Sequence, residues 1–247
     1  MTMLVKDIAR CGVCEKGNQV LVMKSTSRFG ACDLDTRPPA MFPFTIFLQH
    51  CEHCGYVAPK IADGNPELKD FVKSEYYKTC DGINPISETA KHYIQYALLQ
   101  GYETVGTIMW PDKTKETNSD KGFNKVFWGY LNAAWACDDA VKPNPSDSTR
   151  HKCMEDAERC RRKCLDLIDI IILAQKEQKN KETLLGIKAD LLRRTGQFSR
   201  LEVEFEGKSF EDPYVNQVVR FEIDRAKELD NKRYNMDHIS QTTTNKE

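Results

Sequence analysis

The sequence has neither a long apolar run nor an excess of charge of one sign. Its longest apolar stretch, Leu165 to Ala174, has ten residues and contains Asp166 and Asp169, whereas a membrane-spanning helix needs about 20 apolar residues. The 36 Lys and Arg nearly balance the 37 Asp and Glu, which gives a net charge of −1. Such a balance creates no strong positive field for nucleic-acid phosphates. The composition therefore favours neither membrane insertion nor general binding of nucleic acid.

Targeting and catalytic signatures are also missing. The first residues, MTMLVKDIARC, contain no apolar core of a signal peptide, so we expect a cytoplasmic protein with reduced cysteines. The sequence contains no glycine-rich phosphate loop, serine nucleophile elbow or His-Glu-x-x-His motif. It therefore assigns no reaction to the protein.

Ten cysteines are present, and four of them form two Cys-x-x-Cys pairs, Cys11 with Cys14 and Cys51 with Cys54. Each pair can turn its backbone into a knuckle that presents two thiolates to one cation. Two knuckles complete the tetrahedral four-sulfur set of structural Zn²⁺. Because this set leaves no open position for water or substrate, it predicts a structural rather than a catalytic zinc site.

The 36 residues between the two pairs are expected to fold back as the hairpin insert of a zinc ribbon. Asn18 to Lys24 and Pro43 to Gln49 each have the composition of a short strand. Gly55, directly after Cys54, suits the positive-φ turn of a knuckle, whereas the first pair has Glu15 at the matching place. The predicted ribbon occupies residues 1–62.

Two alternatives to zinc are a redox pair and a structural disulfide. A redox pair is expected as one Cys-x-x-Cys motif at the junction of a strand and a helix, and a disulfide requires an oxidising compartment. His50 and His53 flank the second pair as alternative ligands, although four cysteines already fill the coordination shell. Zinc is therefore the favoured interpretation.

The other cysteines are predicted to fill the core rather than to bind a second metal. Cys153, Cys160 and Cys164 share one face of a helix, where free cysteine packs as a small hydrophobic residue. Cys32 lies in a polar loop and is the one cysteine that we single out as potentially reactive.

Residues 63–236 are predicted to be helical, and the polar residues 237–247 to be a disordered tail. Asn65 and Pro66 mark the start of a first helix, to about Lys78, and Ser87 caps a second. A third helix is expected from Phe123 to Ala140, with an aromatic face built for packing, and a fourth from Ser148 to Lys179.

Residues 182–215 fit a 34-residue helix-turn-helix unit of the tetratricopeptide (TPR) kind. In this unit Leu201 to Glu206 alternates as a strand would, but we predict a helix because the segment follows a helix and a turn at the spacing of the repeat. The predicted fold class is mainly α, with a small N-terminal β zinc ribbon followed by an antiparallel TPR-like helical array.

Three stretches resemble a bacterial family of uncharacterised proteins, catalogued as a domain of unknown function, that joins an N-terminal zinc ribbon to a TPR-like helical region. They run from Phe29 to Pro38, from Cys51 to Ala58 and from Leu192 to Phe198. The resemblance covers nearly the whole chain and implies zinc and this fold, but no activity. Two departures affect loops only: Gly12 stands where the family usually has proline, and Cys32 where a proline commonly precedes the Asp-Leu-Asp run.

Asp33, Asp35 and Arg37 form the best charged constellation outside the cysteine pairs. Two carboxylates and a guanidinium could hold a small ligand or an anionic peptide end. The alternative, which we favour, is a structural loop fixed by an Asx-type turn and an Arg–Asp pair.

The function that the sequence favours is a zinc-containing helical adaptor that binds a protein or peptide partner and has no assigned catalytic activity. A nucleic-acid-associated regulator that uses the ribbon is the alternative. Residues 1–62 argue against it, because their seven Lys and Arg are offset by five Asp and Glu. An enzyme or ligand site at the Asp33/Asp35/Arg37 loop is a weaker third interpretation.

Overall fold

The structure is a computed structural model that describes residues 2–27, 29–39, 46–109, 119–141 and 146–244. It is mainly helical, with a small antiparallel sheet near the N-terminus, which confirms the predicted fold class. The strands in the described residues are β1 (Met3–Arg10), β2 (Gly17–Ser25), β3 (Gln49–His50) and β4 (Val57–Ala58). The α-helices in the same residues are α1 (Lys69–Lys73), α2 (Glu75–Lys78), α3 (Glu88–Met109), α4 (Ser119–Asp139), α5 (Asp147–Ala174), α6 (Gln178–Arg194), α7 (Phe198–Phe205), α8 (Pro213–Lys227) and α9 (Met236–Thr244).

The N-terminal strands form two small hairpins, each of which carries one cysteine pair at its turn. β1 pairs with β2 antiparallel, and β3 pairs with β4. β2 was predicted from the sequence, but β1 was not, since Met3, Leu4 and Val5 are consecutive apolar residues without the alternation of a half-buried strand. The strand predicted over 43–49 lies partly in residues 40–45, outside the described residues, and the described strand begins only at Gln49.

The helix predicted up to Lys78 is three shorter pieces. Asn65 accepts a hydrogen bond from the Glu67 amide and caps a 3₁₀ turn that starts at Pro66, as the sequence indicated. Ser74 then takes an extended conformation (φ −63°, ψ 150°), which ends α1, while its side chain caps α2. The polar side chain of Ser74 competes with the helix for backbone hydrogen bonds and so divides it.

α3 and α4 pack closely together because small residues meet large ones between them. A Cβ atom added to Gly129 would lie 2.8 Å from the Cβ of Ala97, so the two backbones approach at this point. Phe127, Leu131 and Trp135 are buried on α4. The aromatic face predicted for this helix is therefore a packing face, as expected.

The C-terminal helices include residues 182–215, where the sequence pattern of one segment is typical of a strand although a helix is predicted. α5 ends at Ala174, five residues before the predicted end, and α6 starts at Gln178. The segment that alternates as a strand would is helical in α7, where Leu201 and Phe205 are buried and Val203 is 86% exposed. The helical prediction for this segment is confirmed.

The polar tail differs from the sequence-based expectation of disorder. Met236–Thr244 is helical as α9, and Ile239 in it is 6% exposed. Ile239 packs in a small core with Leu34, Val218 and Phe221. Ile239, together with Met236 at the start of the helix, packs α9 against this core, although two isolated apolar residues give almost no signal in the sequence.

The chain divides into two compact units. One consists of Met1–Ser27 and Met41–Cys160, and the other of Arg28–Ala40 and Arg161–Glu247. This division differs from the boundary at residue 62 that the sequence predicted. That boundary concerns whether residues 63–236 fold on their own, and it stays a prediction.

Candidate metal centre

The four cysteines of the two pairs converge on one point. The sulfur atoms of Cys11 and Cys54 lie 3.8 Å apart, those of Cys14 and Cys51 lie 3.6 Å apart, and all four lie within 4.8 Å of one another. A tetrahedral Zn²⁺ with bonds of about 2.3 Å holds its sulfur ligands about 3.8 Å apart. The four sulfur atoms are therefore close enough to share a single cation.

The first knuckle is the turn between β1 and β2. The Cys11 carbonyl accepts a hydrogen bond from the Glu15 amide at 2.8 Å, and the Cys11 amide donates to the Lys16 carbonyl at 2.9 Å. Glu15 has a positive φ of 62°, which is unfavourable for a residue with a side chain. Arg10 supports this conformation, because its guanidinium donates to both the carbonyl and the carboxylate of Glu15 at 2.9 Å.

The second knuckle repeats this geometry with a glycine. The Cys51 carbonyl accepts from the Gly55 amide at 2.8 Å, and the Cys51 amide donates to the Tyr56 carbonyl at 2.9 Å. Gly55 has φ 82°, as the sequence predicted for this position. Tyr77 of α2 donates its hydroxyl to the Gly55 carbonyl at 2.8 Å and is itself 1% exposed. The second knuckle is therefore fixed to a helix as well as to its own hairpin.

Asn18 connects the two knuckles. Its side-chain oxygen accepts from the Glu52 amide at 3.0 Å, and its side-chain nitrogen donates to the Lys16 carbonyl at 2.9 Å. His53 adds a second link by donating from Nε2 to the Gly17 carbonyl at 3.1 Å. Sequence reasoning missed Asn18, because an asparagine in a short strand has no distinctive spacing.

Gly12 occupies a position in the first knuckle that proline would not fit. Its amide donates to the Ile61 carbonyl at 2.8 Å, a bond that proline could not make. A Cβ atom at this position would lie 2.2 Å from the carbonyl oxygen of Gly64. The first knuckle thus rests directly on the backbone of the segment that follows β4.

The environment of the thiols favours one thiolate before any cation is bound. Burial raises the pKa of Cys51, but hydrogen bonds from the amides of Cys54 and His53 and from neighbouring thiols outweigh it and leave the pKa at about 7. Burial raises the pKa of Cys11 and of Cys54. A cation is therefore needed to hold the whole set ionised, because metal ligands must be thiolates.

Neither of the flanking histidines belongs to the sulfur cluster. His50 stacks on His92 with ring centroids 4.6 Å apart, and His53 bonds to the backbone. Within the described residues, the group of metal-ligating side chains close enough to share one ion consists of the four cysteines. All ten cysteines lie in the described residues, and all are free thiols.

Cysteines outside the cluster behave as core residues. Cys153, Cys160 and Cys164 are all at most 1% exposed on α5, as predicted. Cys32 is half-buried, and its carbonyl accepts from the Met236 amide at 3.0 Å.

Asp33, Asp35 and Arg37 form a buried loop of the C-terminal unit rather than an open site. They are 7%, 1% and 1% exposed. The Asp35 carboxylate accepts from the Arg37 amide at 3.2 Å, which is the predicted Asx-type turn. Arg233 donates from Nε to the Asp33 carboxylate at 2.6 Å, and the predicted ion pair of Asp33 with Arg37 is longer, at 4.0 Å.

Comparison with protein-family models, with curated proteins and with solved structures found no match. Within the part of the chain that the structure describes, no helix is long and apolar enough to cross a membrane.

Proposed function

We propose that Cys11, Cys14, Cys51 and Cys54 hold one structural Zn²⁺. The observation that carries this proposal is the convergence of the four sulfur atoms, which all lie within 4.8 Å of one another and are 3.6 and 3.8 Å apart in two of the pairs. Four thiolates at tetrahedral spacing suit zinc or iron. The resemblance to zinc-ribbon proteins and the absence of any redox motif beyond the two knuckles support zinc.

The proposed role of the ion is to cross-link the first hairpin to the second knuckle. The ligand set is complete, so bound zinc would have no position for substrate. Protein contacts already join the two knuckles through Asn18 and His53. The metal adds the strong cross-link that so small a pair of hairpins needs, because two-stranded hairpins are marginally stable alone.

For the whole protein we propose the role of a helical adaptor that binds a protein or peptide. The consecutive helices α6 and α7, joined by a turn with Gly196 at φ 68°, and the following α8 support this role. Helical arrays of this kind form surfaces for extended partners. The resemblance to proteins with a TPR-like region points the same way.

The two alternatives receive less support from the geometry. A nucleic-acid-binding ribbon needs free cations, but Arg10 on β1 is paired with Glu15 at 2.9 Å. An enzyme at the Asp33 loop needs solvent access, but Asp35 and Arg37 are each 1% exposed. We therefore keep the adaptor as the proposed function.

Elemental analysis of the native full-length protein tests the metal. We expect about one Zn²⁺ per chain, retained through gel filtration. If the protein instead contains iron and shows a visible charge-transfer spectrum, the site is an iron–sulfur centre and not a zinc site. A metal-free, reduced and fully folded protein would contradict the site itself.

Co-purification of the untagged protein with its partners, at low salt and at about 300 mM salt, tests the adaptor role. Binding to several phosphates loses orders of magnitude in affinity over such a range, whereas apolar contacts are much less sensitive. We expect a specific protein partner to be retained at the higher salt. Sub-micromolar, sequence-selective binding of DNA that depends on zinc would favour the regulator instead.

A further inference from the structure

Arg193 is the centre of a charged cluster that is buried in the C-terminal unit. It lies on α6, is 0% exposed, and donates from Nη1 to the carbonyls of Asp230 at 3.0 Å and Lys232 at 2.6 Å. The same guanidinium bonds from Nε to the Glu222 carboxylate of α8, and from Nη2 to the Asp190 carboxylate at 3.1 Å. One side chain thus joins α6, α8 and the segment after α8.

Two carboxylates therefore share one guanidinium away from water. Asp190 is 2% exposed and Glu222 is 0% exposed. Each carboxylate has a second oxygen, Oδ2 of Asp190 and Oε1 of Glu222, that no donor in the described residues reaches. Buried oxygens without a donor are costly, and so is a second buried negative charge beside a single positive one.

One proton shared by the two carboxyl groups, which bond to the same guanidinium, removes both costs. We propose that Asp190 and Glu222 form a proton-binding site, in which a single proton is held between the two carboxyl groups at neutral pH and its loss at alkaline pH weakens the attachment of α6 to α8. The protonated carboxyl donates to the other carboxylate, while both keep their bonds to Arg193. The cluster of three side chains is then electrically neutral.

The charges around the pair are consistent with this assignment. Burial, followed by the charge of Asp190, raises the pKa of Glu222 to about 8, against the opposing effect of Arg193. Asp33 and Asp35 lie in the loop that belongs to the C-terminal unit, and both interact electrostatically with Asp190. Of these charges, that of Asp190 acts directly on Glu222 and favours retention of the proton.

The arginines near that loop interact with the carboxylates of Asp33 and Asp35. Arg233 bonds to Asp33, and Arg161 and Arg194 act on Asp35, whose own pKa is raised to about 6 by burial. Arg37 lies 4.0 Å from Asp33. Within the described residues, Arg193 is therefore the guanidinium that donates hydrogen bonds to Asp190 and Glu222.

The sign of the pH dependence follows from the raised pKa. Between the ordinary pKa of 4.5 and about 8, the folded protein holds a proton that the unfolded chain releases. Stability therefore falls as pH rises through this window. Wild-type protein should show an unfolding constant at least tenfold larger at about pH 9 than at about pH 6 from this pair alone.

Glu222→Gln and Asp190→Asn in the full chain test the proposal. An amide in either place supplies the donor that the proton supplies, so each single variant should match the wild type in urea unfolding at about pH 4, where the wild-type carboxyl is protonated in both the folded and the unfolded chain. At about pH 9, Glu222→Gln should be the more stable protein, by the same tenfold or larger factor. The double variant leaves Arg193 without a carboxylate and should be strongly destabilised at both pH values.

A measurement on wild-type protein keeps the test decisive if a variant fails to fold. The carboxyl ¹³C resonance of Glu222 should show a group that is still protonated at neutral pH and loses its proton as pH rises through about 8. Titration of Glu222 near its ordinary pKa of 4.5 would overturn the proposal. So would a stability difference between wild type and Glu222→Gln that does not change with pH.

Discussion

Glu15 and Gly55 occupy the same position in the two knuckles, one residue after the second cysteine. Both have positive φ, at 62° and 82°, although a non-glycine residue there costs roughly 1–2 kcal/mol. Arg10 offsets this cost by bonding to the carbonyl and the carboxylate of Glu15. At the residue scale, two different sequences therefore reach one backbone geometry, because the position of the sulfur atoms requires it.

Cys51→Ser should abolish metal binding and unfold the two hairpins. Serine removes a sulfur ligand, and in small zinc modules the apparent metal affinity, about 10–16 kcal/mol, is largely folding free energy. The measurement is the zinc content of the purified variant together with its near-ultraviolet circular dichroism. Cys160→Ser is the matched control, since Cys160 is equally buried but lies outside the cluster, and it should retain the metal.

Gly12→Ala should lower the stability of the metal centre, while Gly17→Ala should leave it nearly unchanged. The new methyl group at position 12 would lie 2.2 Å from the Gly64 carbonyl oxygen, whereas nothing lies within 4 Å at position 17. We expect a loss of about 1–3 kcal/mol for the first change, and less than about 1 kcal/mol for the second. Equal melting temperatures and equal rates of zinc release to a chelator would contradict the close contact.

At the scale of the element, a buried carboxylate organises the start of α8. Glu182 on α6 is 2% exposed and accepts hydrogen bonds from the amides of Asp212 at 2.8 Å and Glu211 at 3.0 Å, and from Gln178 at 3.0 Å. Asp212 in turn caps α8. The carboxylate thus holds in place the residue that begins the next helix.

Glu182→Gln should destabilise the protein at neutral pH, in contrast to Glu222→Gln. The Asp212 amide, then the Glu211 amide and Gln178, lower the pKa of Glu182, so its contribution is fully present above the ordinary pKa of 4.5 and is lost as pH falls through the lower folded value. Urea unfolding of both proteins across the acid range provides the measurement. The difference between wild type and variant should shrink toward low pH, and a constant difference would refute the assigned role.

Sequence patterns predicted the elements whose signals are local. The caps at Asn65 and Ser87 were recognised, as were the two cysteine pairs. β1 was missed because its apolar residues do not alternate, and its partner β2 determines its conformation. The end of α5 was missed because the residues after Ala174 are good helix formers, so tertiary packing rather than propensity decides where the helix stops.

On the scale of the whole molecule, the loop with Asp33, Leu34 and Asp35 belongs to the C-terminal unit. Leu34 is 2% exposed among Val218, Phe221 and Ile239, and its amide donates to the Tyr234 carbonyl at 3.3 Å. The sequence predicted the local turn of this loop but not its partners, because contacts between distant segments leave no periodic pattern in a single sequence.

Leu34→Ala should destabilise the C-terminal unit without loss of metal. Removal of a buried leucine side chain costs about 2–5 kcal/mol, and Leu34 packs against Val218, Phe221 and Ile239, none of which belongs to the cysteine cluster. Leu229→Ala is the control, since Leu229 is 73% exposed. Thermal unfolding and zinc content measured on the same samples separate the two effects, and simultaneous loss of zinc would argue that one cooperative unit includes both.

The placement of this loop has a consequence for the synthesis of the chain. Asp33 and its partner Arg233 lie 200 residues apart in sequence. At roughly 5–20 residues per second on the ribosome, the loop waits on the order of 10–40 s for the segment that completes it. During that interval Leu34 lacks its final core and Asp33 lacks the cation that pairs with it. The C-terminal unit can therefore close around this loop only after residue 233 has been synthesised.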